Sequence, residues 1–284
     1  MIDDTQTFAN ERAHLFGIAY RMLGSAAEAE DVLQETFLRF SSRDERDVDS
    51  PRAYLTTIVV RLCLDQLKSA RTRREEYVGP WLPEPIATGD PETRAELAES
   101  IGMAFLVLLE RLSPLERAAF LLHEVFDYPF AEVAAALGTS EAACRQLASR
   151  ARAHIDAGRP RFAASEAKKR ELLGAFVASV GSGDLAGLQA LLAGDVIART
   201  DGGGRVHAAT KPVYGADRVA RFVVGIAKKG GDGTVELTTL NGEPGLLLRD
   251  PAGIVRGALT ISVSGERITD VFLVTNPEKL SRFS

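Results

Sequence analysis

Two all-helical domains followed by an α+β domain with a curved sheet is the architecture predicted for this chain of 284 residues. Three observations predict it. Apolar residues recur at helical spacing from Phe8 to about Arg74 and again from about Ala98 to Phe162. A stretch holding Pro80, Pro83, Pro85 and Pro91 parts these two blocks. Helices continue after Lys168, and from Thr234 the period shortens to two with glycine at the turns.

In the first block Leu15, Ile18, Ala19 and Met22 line one helix face, and Gly24-Ser25 supplies a stop and a new start. Val32, Leu33, Phe37 and Phe40 form the next stripe, with Glu28, Glu30 and Asp31 near the end where the helix dipole favours acids. Pro51 sits where a first helical turn accepts it, Leu55, Ile58, Val59 and Leu62 follow, and basic residues close the helix at Lys68 to Arg74. The segment 76–98 reads as a linker, yet Tyr77 to Pro85 (YVGPWLPEP) holds the only Trp of the chain. Proline limits the entropy lost on docking and Trp81 supplies area, so this linker is expected to lie against something.

In the second block Phe130 to Ser149 fits a helix-turn-helix. Ala134 is small at the helix crossing, Gly138 makes the turn, Val133, Leu137 and Leu147 supply the core, and Ser140 caps the second helix. In the third block helices are expected over Leu172 to Val180, from Gly183-Asp184 through Leu192, and over Asp217 to Ala227. Antiparallel strands are expected over 234–240, 245–249, 254–263 and 267–274, with an earlier ribbon pairing Val196–Thr200 with Arg205–Ala208.

Apolar residues at 45% and charged residues at 26% exclude wholesale disorder. Cys63 and Cys144 alone make neither a disulfide framework nor a metal quartet. The longest apolar stretch, Ile101 to Leu109, is too short for a membrane span, and the acidic N-terminus is unlike a signal peptide. A cytoplasmic chain, monomeric when free and without cofactor or metal, is expected. Net charge is −5, but residues 61–74 balance at +4, 76–112 at −5 and 138–162 at +3. Two basic islands across an acidic bridge suit two separate contacts with a polyanion. In the second island Arg145, Gln146, Ser149, Arg150 and Arg152 can bond base edges or phosphates.

These blocks resemble known ones. AEDVLQETFLRF (Ala29 to Phe40), PRAYLTTIVVRLCLDQLKSARTRRE (Pro51 to Glu75) and the segment Leu112 to Ile155 resemble three parts of sigma-70-type RNA polymerase sigma factors of the extracytoplasmic-function class. In that order, those parts bind polymerase, recognise and melt the minus-ten element, and read the minus-thirty-five element. The third block resembles the SnoaL-like, nuclear-transport-factor-like domain fused to factors of the sigma-J type. YVGPWLPEP, DGGGRV (Asp201 to Val206) and NPEKL (Asn276 to Leu280) resemble that subgroup's markers. Arg205 stands where Lys is commoner, Glu278 for Asp, Arg61 for Asn and Tyr54 for Trp.

The resemblance implies sigma region 2 over 1–75, the linker, sigma region 4 over 99–162 and a regulatory SnoaL-like domain over 168–284, with core RNA polymerase and promoter DNA as partners. Asp31, Gln34 and Glu35 would face polymerase. Tyr54, Arg61, Lys68 and Arg71 form the basic and aromatic set for an unstacked base. Trp81, Pro83, Asp201, Gly203, Arg205, Asn276, Pro277 and Leu280 would make regulatory contacts. Two alternatives are a small ligand in the third block and a SnoaL-like enzyme carrying a DNA-binding appendage. For the second, His207, Asp201, Asp195 and Tyr214 are the candidates, and no partner for His207 can be placed by spacing, so no catalytic residue is assigned.

Overall fold

The computed structural model describes residues 4–43, 50–75, 77–88, 102–158 and 164–283, leaving aside the side chains of 70–75 and 158. The chain divides into two compact units. One holds residues up to 75 and from 105 to 158; the other holds 77–88, 102–104 and 164–283.

The first unit is helical. Helix α1 (Asp4–Leu23) ends at Gly24, whose φ of 70° few other residues adopt. Ser25 then accepts the Glu28 amide at 3.3 Å and starts α2 (Ala26–Ser41). Helix α3 (Pro51–Glu75) begins on its proline. The expected stripes are the buried faces, with Phe37, Ile58 and Leu62 only half-buried and Val60 and Cys63 fully buried. Helix α4 (Met103–Leu109) opens the second helical region. A reciprocal Ser113–Glu116 capping box starts α5 (Pro114–Phe120), which runs into a π-helical turn over Leu121–Val125. Helices α6 (Phe130–Leu137) and α7 (Glu141–Gly158) form the helix-turn-helix around Gly138 at φ 65°, and Ser140 caps α7 on the Ala143 amide at 3.2 Å. Its core differs from the expected one. Val133 is buried, but Leu137 and Leu147 are half-exposed, and small residues (Ala134, Ala136, Cys144, Ala148, Ala151) fill the crossing, which brings the backbones close.

The second unit packs α8 (Glu166–Ser182), α9 (Leu185–Leu191) and α10 (Ala216–Lys229) on one six-stranded sheet. Its strands are β1 (Leu192–Asp201), β2 (Val213–Tyr214), β3 (Thr234–Leu240), β4 (Glu243–Arg249), β5 (Val255–Ser264) and β6 (Arg267–Val274), ordered β2-β1-β6-β5-β4-β3. A short helix, α11 (Pro277–Leu280), follows β6. Ala198, Val271 and Ile261 lie in one row across the sheet and Leu273, Leu259 and Leu246 in another, and with Leu173, Phe176, Val219 and Val223 they fill the space between sheet and helices.

Three expectations are corrected here. The sheet is mixed, because β1 runs parallel to β6 while the other pairs are antiparallel. The partner of β1 at its other edge is β2, with Ile197 opposite Tyr214, and not 205–208. Gly203 and Gly204 both adopt positive φ and coil the chain, and the Arg205 amide bonds back to Gly202 O at 3.0 Å. Thr200 Oγ1 then takes the Ala209 amide at 2.9 Å, so a ladder cannot start until Val213. The expected second helix also stops one residue early, since Leu192 already belongs to β1.

Candidate functional site: two helical readers and a buried carboxylate hub

On α2, Asp31 and Gln34 are exposed and Glu35 is half-buried, ion-paired to Arg39 at 2.7 Å. Asp31 and Gln34 rim a shallow groove floored by Phe8, Leu33 and Phe37. An acidic edge beside apolar floor suits a partner surface that is basic and carries an apolar side chain.

On α3, Tyr54 is 37% exposed and Lys68 is exposed, paired to Asp65 at 3.0 Å. The Arg71 side chain lies outside the described residues. Arg61 is occupied: it donates to Ala135 O at 3.2 Å and Ala136 O at 3.3 Å in the last turn of α6. Those carbonyls are the negative end of a helix dipole, which favours a guanidinium. A second arginine does the converse. Buried Arg117 of α5 donates to Met22 O at 2.6 Å in the last turn of α1 and pairs with Glu110 at 2.7 Å. Burial brings its pKa down to about 10, so it stays charged at neutral pH.

A further contact between residues of the two helical regions was missed by sequence reasoning. The π-helical turn and Asp127, at φ 56°, redirect the chain so that Tyr128 Oη meets His14 Nε2 at 2.7 Å and Thr56 Oγ1 at 2.8 Å. Burial, helped by Arg52 and Arg21, holds His14 down at about 4, so it is neutral here. No local period marks a tyrosine in a loop, although an aspartate two residues before Pro129 is a turn signal in the sequence.

On α7, Arg145, Gln146, Ser149, Arg150 and Arg152 are all exposed on one helix. Arg145 pairs with Glu141 at 2.6 Å and lies 5.2 Å from the Phe130 ring centre, and Arg152 pairs with Glu124. Exposed pairs of this kind are worth at most about 1 kcal/mol, so nucleic acid can displace them.

The third assembly lies wholly in the second unit. Asp201 ends β1 with no exposed surface. Its carboxylate accepts from Tyr77 Oη at 2.6 Å, the Leu82 amide at 2.8 Å, Lys279 Nζ at 2.7 Å and the Gly203 amide at 3.0 Å. Asn276 Nδ2 donates to Tyr77 Oη at 3.0 Å, and its own amide to Asp201 O at 2.9 Å. Burial and the Asp201 carboxylate push the Tyr77 phenol up, which keeps it a donor. Lys279 also bonds Leu82 O and sits 4.0 Å from the Trp81 ring centre. Gly203 is required, because a Cβ there would stand 2.6 Å from Asn276 Cγ at a φ of 60°.

The three marker segments therefore meet at one carboxylate. Of the residues singled out from sequence, Trp81, Asp201, Gly203 and Asn276 belong to this hub. Pro277 opens α11, Leu280 is buried, Pro83 is buried in the docked segment, and Arg205 pairs with Glu278 at 2.8 Å on the surface. Tyr77, Leu82 and Lys279 were missed, though each lies inside or beside a marker. His207, Asp195 and Tyr214 are exposed and lie apart from the hub's hydrogen bonds. Among the described residues no helix is long and apolar enough to cross a membrane, and no group of three His, Cys, Asp or Glu side chains is placed to hold a metal.

The chain is similar to known proteins. A family model described as sigma-70 region 2 matches residues 8–73, and one described as sigma-70 region 4 matches 102–155. The chain is 40% identical to the ECF RNA polymerase sigma factor SigJ of Mycobacterium tuberculosis, over 98% of this chain and 93% of the relative. It is 34% identical to a probable ECF RNA polymerase sigma factor, SigI, of the same species, over 95% and 92%. The crystal structure of M. tuberculosis SigJ superposes with a TM-score of 0.80 at 37% identity, covering 98% of each chain.

Proposed function

The chain belongs to the extracytoplasmic-function class of sigma-70-type RNA polymerase sigma factors, which direct core polymerase to promoters, and on that premise we propose that its C-terminal block controls it in cis through the segment joining the two helical regions. The factor acts in the cytoplasm, where polymerase and promoter DNA are. The Asp31, Gln34 and Glu35 face meets core polymerase, α3 with Tyr54, Arg61, Lys68 and Arg71 takes the minus-ten element, and α7 takes the minus-thirty-five element. No step of chemistry is assigned to the C-terminal block.

One observation carries the regulatory part. A regulator tethered in the same chain needs a fixed hold on what it regulates, and residues 77–88, 201–206 and 276–282 converge on the buried Asp201 carboxylate. A shift of ~1.4 kcal/mol in that hold changes a minor active population about tenfold. Trimming the chain from Asn276, which removes Lys279 from Asp201, is expected to raise transcription. Run-off transcription at equal core saturation with full-length, trimmed and Trp81→Ala proteins tests it, and identical activity in all three would refute control in cis. In that case the reading in which the block senses a small ligand takes its place.

A further inference from the structure

A chain of contacts inside the second helical region ends on one arginine of α7. Helix α5 runs into the π-helical turn of Leu121–Val125, where the Phe126 amide bonds Leu121 O at 3.0 Å, five residues back. The Tyr128 amide then reaches Leu122 O at 2.9 Å, and the chain doubles back so far that His123 Nδ1 donates to Tyr128 O at 2.9 Å. That bond fixes the plane of the imidazole. Phe130, the first residue of α6, stacks on it with ring centres 3.8 Å apart and planes 29° from parallel. The Arg145 guanidinium lies over the Phe130 ring at 5.2 Å, and Glu141, one turn earlier on α7, pairs with it at 2.6 Å. The Arg145 side chain is still 57% exposed, so it can reach a ligand. Among the described residues it is the one arginine of α7 that lies over an aromatic ring, whereas Arg152 pairs with Glu124.

We propose that His123 and Phe130 form a shelf that positions Arg145 for a base edge, so that Phe130 sets base discrimination at the positions Arg145 reads without itself touching DNA. The proposal rests on the reading of α7 as the element that takes the minus-thirty-five sequence. A bidentate contact to a guanine edge needs the plane of the guanidinium as well as its place. A free arginine has many rotamers, and ordering it on the base opposes binding. A guanidinium laid on a flat ring and tied to a carboxylate one turn away has given up much of that freedom beforehand. A phosphate contact carries no sequence information and makes no such demand on the plane. Loss of the ring therefore reaches base preference before it reaches overall affinity. Phe130 and His123 are half-buried, outside the fully buried core of the helical unit, so changing either ring leaves that core in place.

The test is selection, by holoenzyme carrying the full chain, from duplexes randomised over the minus-thirty-five element. The base positions whose preference falls with Arg145→Ala are those that Arg145 reads. At these positions Phe130→Leu is expected to lower the preference about tenfold, the order of one bidentate contact. Phe130→Tyr keeps the flat face and should retain the preference, and His123→Ala should give a loss confined to the same positions. Preference at the remaining positions, and the dependence of binding on salt, should match the unaltered protein, because the phosphate contacts are intact. Unchanged preference at the Arg145 positions in Phe130→Leu would overturn the shelf. An even loss at every position would also overturn it, since that marks a merely structural role. Arg145→Ala without effect at any position would overturn the assignment of Arg145 itself, and the shelf with it.

Discussion

The two units hold their parts together by different physics. In the helical unit, regions 2 and 4 meet through arginines that cap each other's helix ends and through one tyrosine shared by a histidine and a threonine. Arg61 is exposed and can trade its partner for water or phosphate, whereas Arg117, Tyr128 and Thr56 are buried; the net worth of a neutral bond of this kind is only about 1 kcal/mol. In the second unit a carboxylate with no exposed surface meets an ammonium, a phenol and two amides. Removing one partner there strands a buried charge. The first junction thus includes a contact open to exchange, whereas the second centres on a carboxylate closed to solvent.

The largest expected effect breaks the persistent side. Asp201→Ala takes the counter-ion from the Lys279 ammonium, which keeps Leu82 O, and the acceptor from the Tyr77 hydroxyl, and should cost on the order of 3–5 kcal/mol of second-unit stability. Thermal unfolding would show it, and a change below about 1 kcal/mol would mean that water satisfies the hub. Next come the exchangeable faces. Arg145→Glu with Arg150→Glu should abolish minus-thirty-five-dependent initiation, each contact being worth about 1–3 kcal/mol, while core binding survives. Asp31→Arg with Glu35→Arg should do the reverse, and crossed phenotypes would overturn the assignment of the faces.

Tyr128→Phe sharpens the contrast, since it removes two hydrogen bonds across the junction at about 1 kcal/mol each. Energy transfer between dyes on α2 and α7 should report a wider separation in the free protein. The smallest effect is from pH. His14 has a folded pKa of about 4 against 6.5 unfolded, so the unfolded chain takes up the proton first. The His14 contribution is therefore complete above pH 6.5 and is lost progressively as pH falls toward 4. His14→Gln should flatten that part of the stability profile relative to the unaltered protein, and parallel profiles would show that the imidazole is not titrating there.

Much of this was legible because it is local. Gly24-Ser25, Pro51, Gly138 and Asn241-Gly242 punctuate the chain where their backbone chemistry requires, and the apolar stripes name the buried faces of α1 to α3. The parallel pairing of β1 with β6 was not legible, because strand direction is set by a connection of more than sixty residues and not by any period within β1. Tyr128 was missed for a related reason. It acts across a long separation, on Thr56. Asp201 was singled out only through the marker that holds it: its bond to the Gly203 amide is a local turn, and no spacing near it reveals that its other oxygen is filled by Leu82 and Lys279.

The hub joins Tyr77 and Leu82 to Lys279, so it cannot exist until residue 279 has been made. The helical unit is complete at about residue 159, 120 residues before Lys279. At about 5–20 residues per second that is roughly 6–24 s of synthesis. Helical contacts are short-range and form fast, whereas the pairing of β1 with β6 must wait for β6 and then close a long loop. Each newly made molecule therefore passes through an interval in which the helical unit can be folded while the hub of the second unit has not formed, and the rate of translation sets how long it lasts.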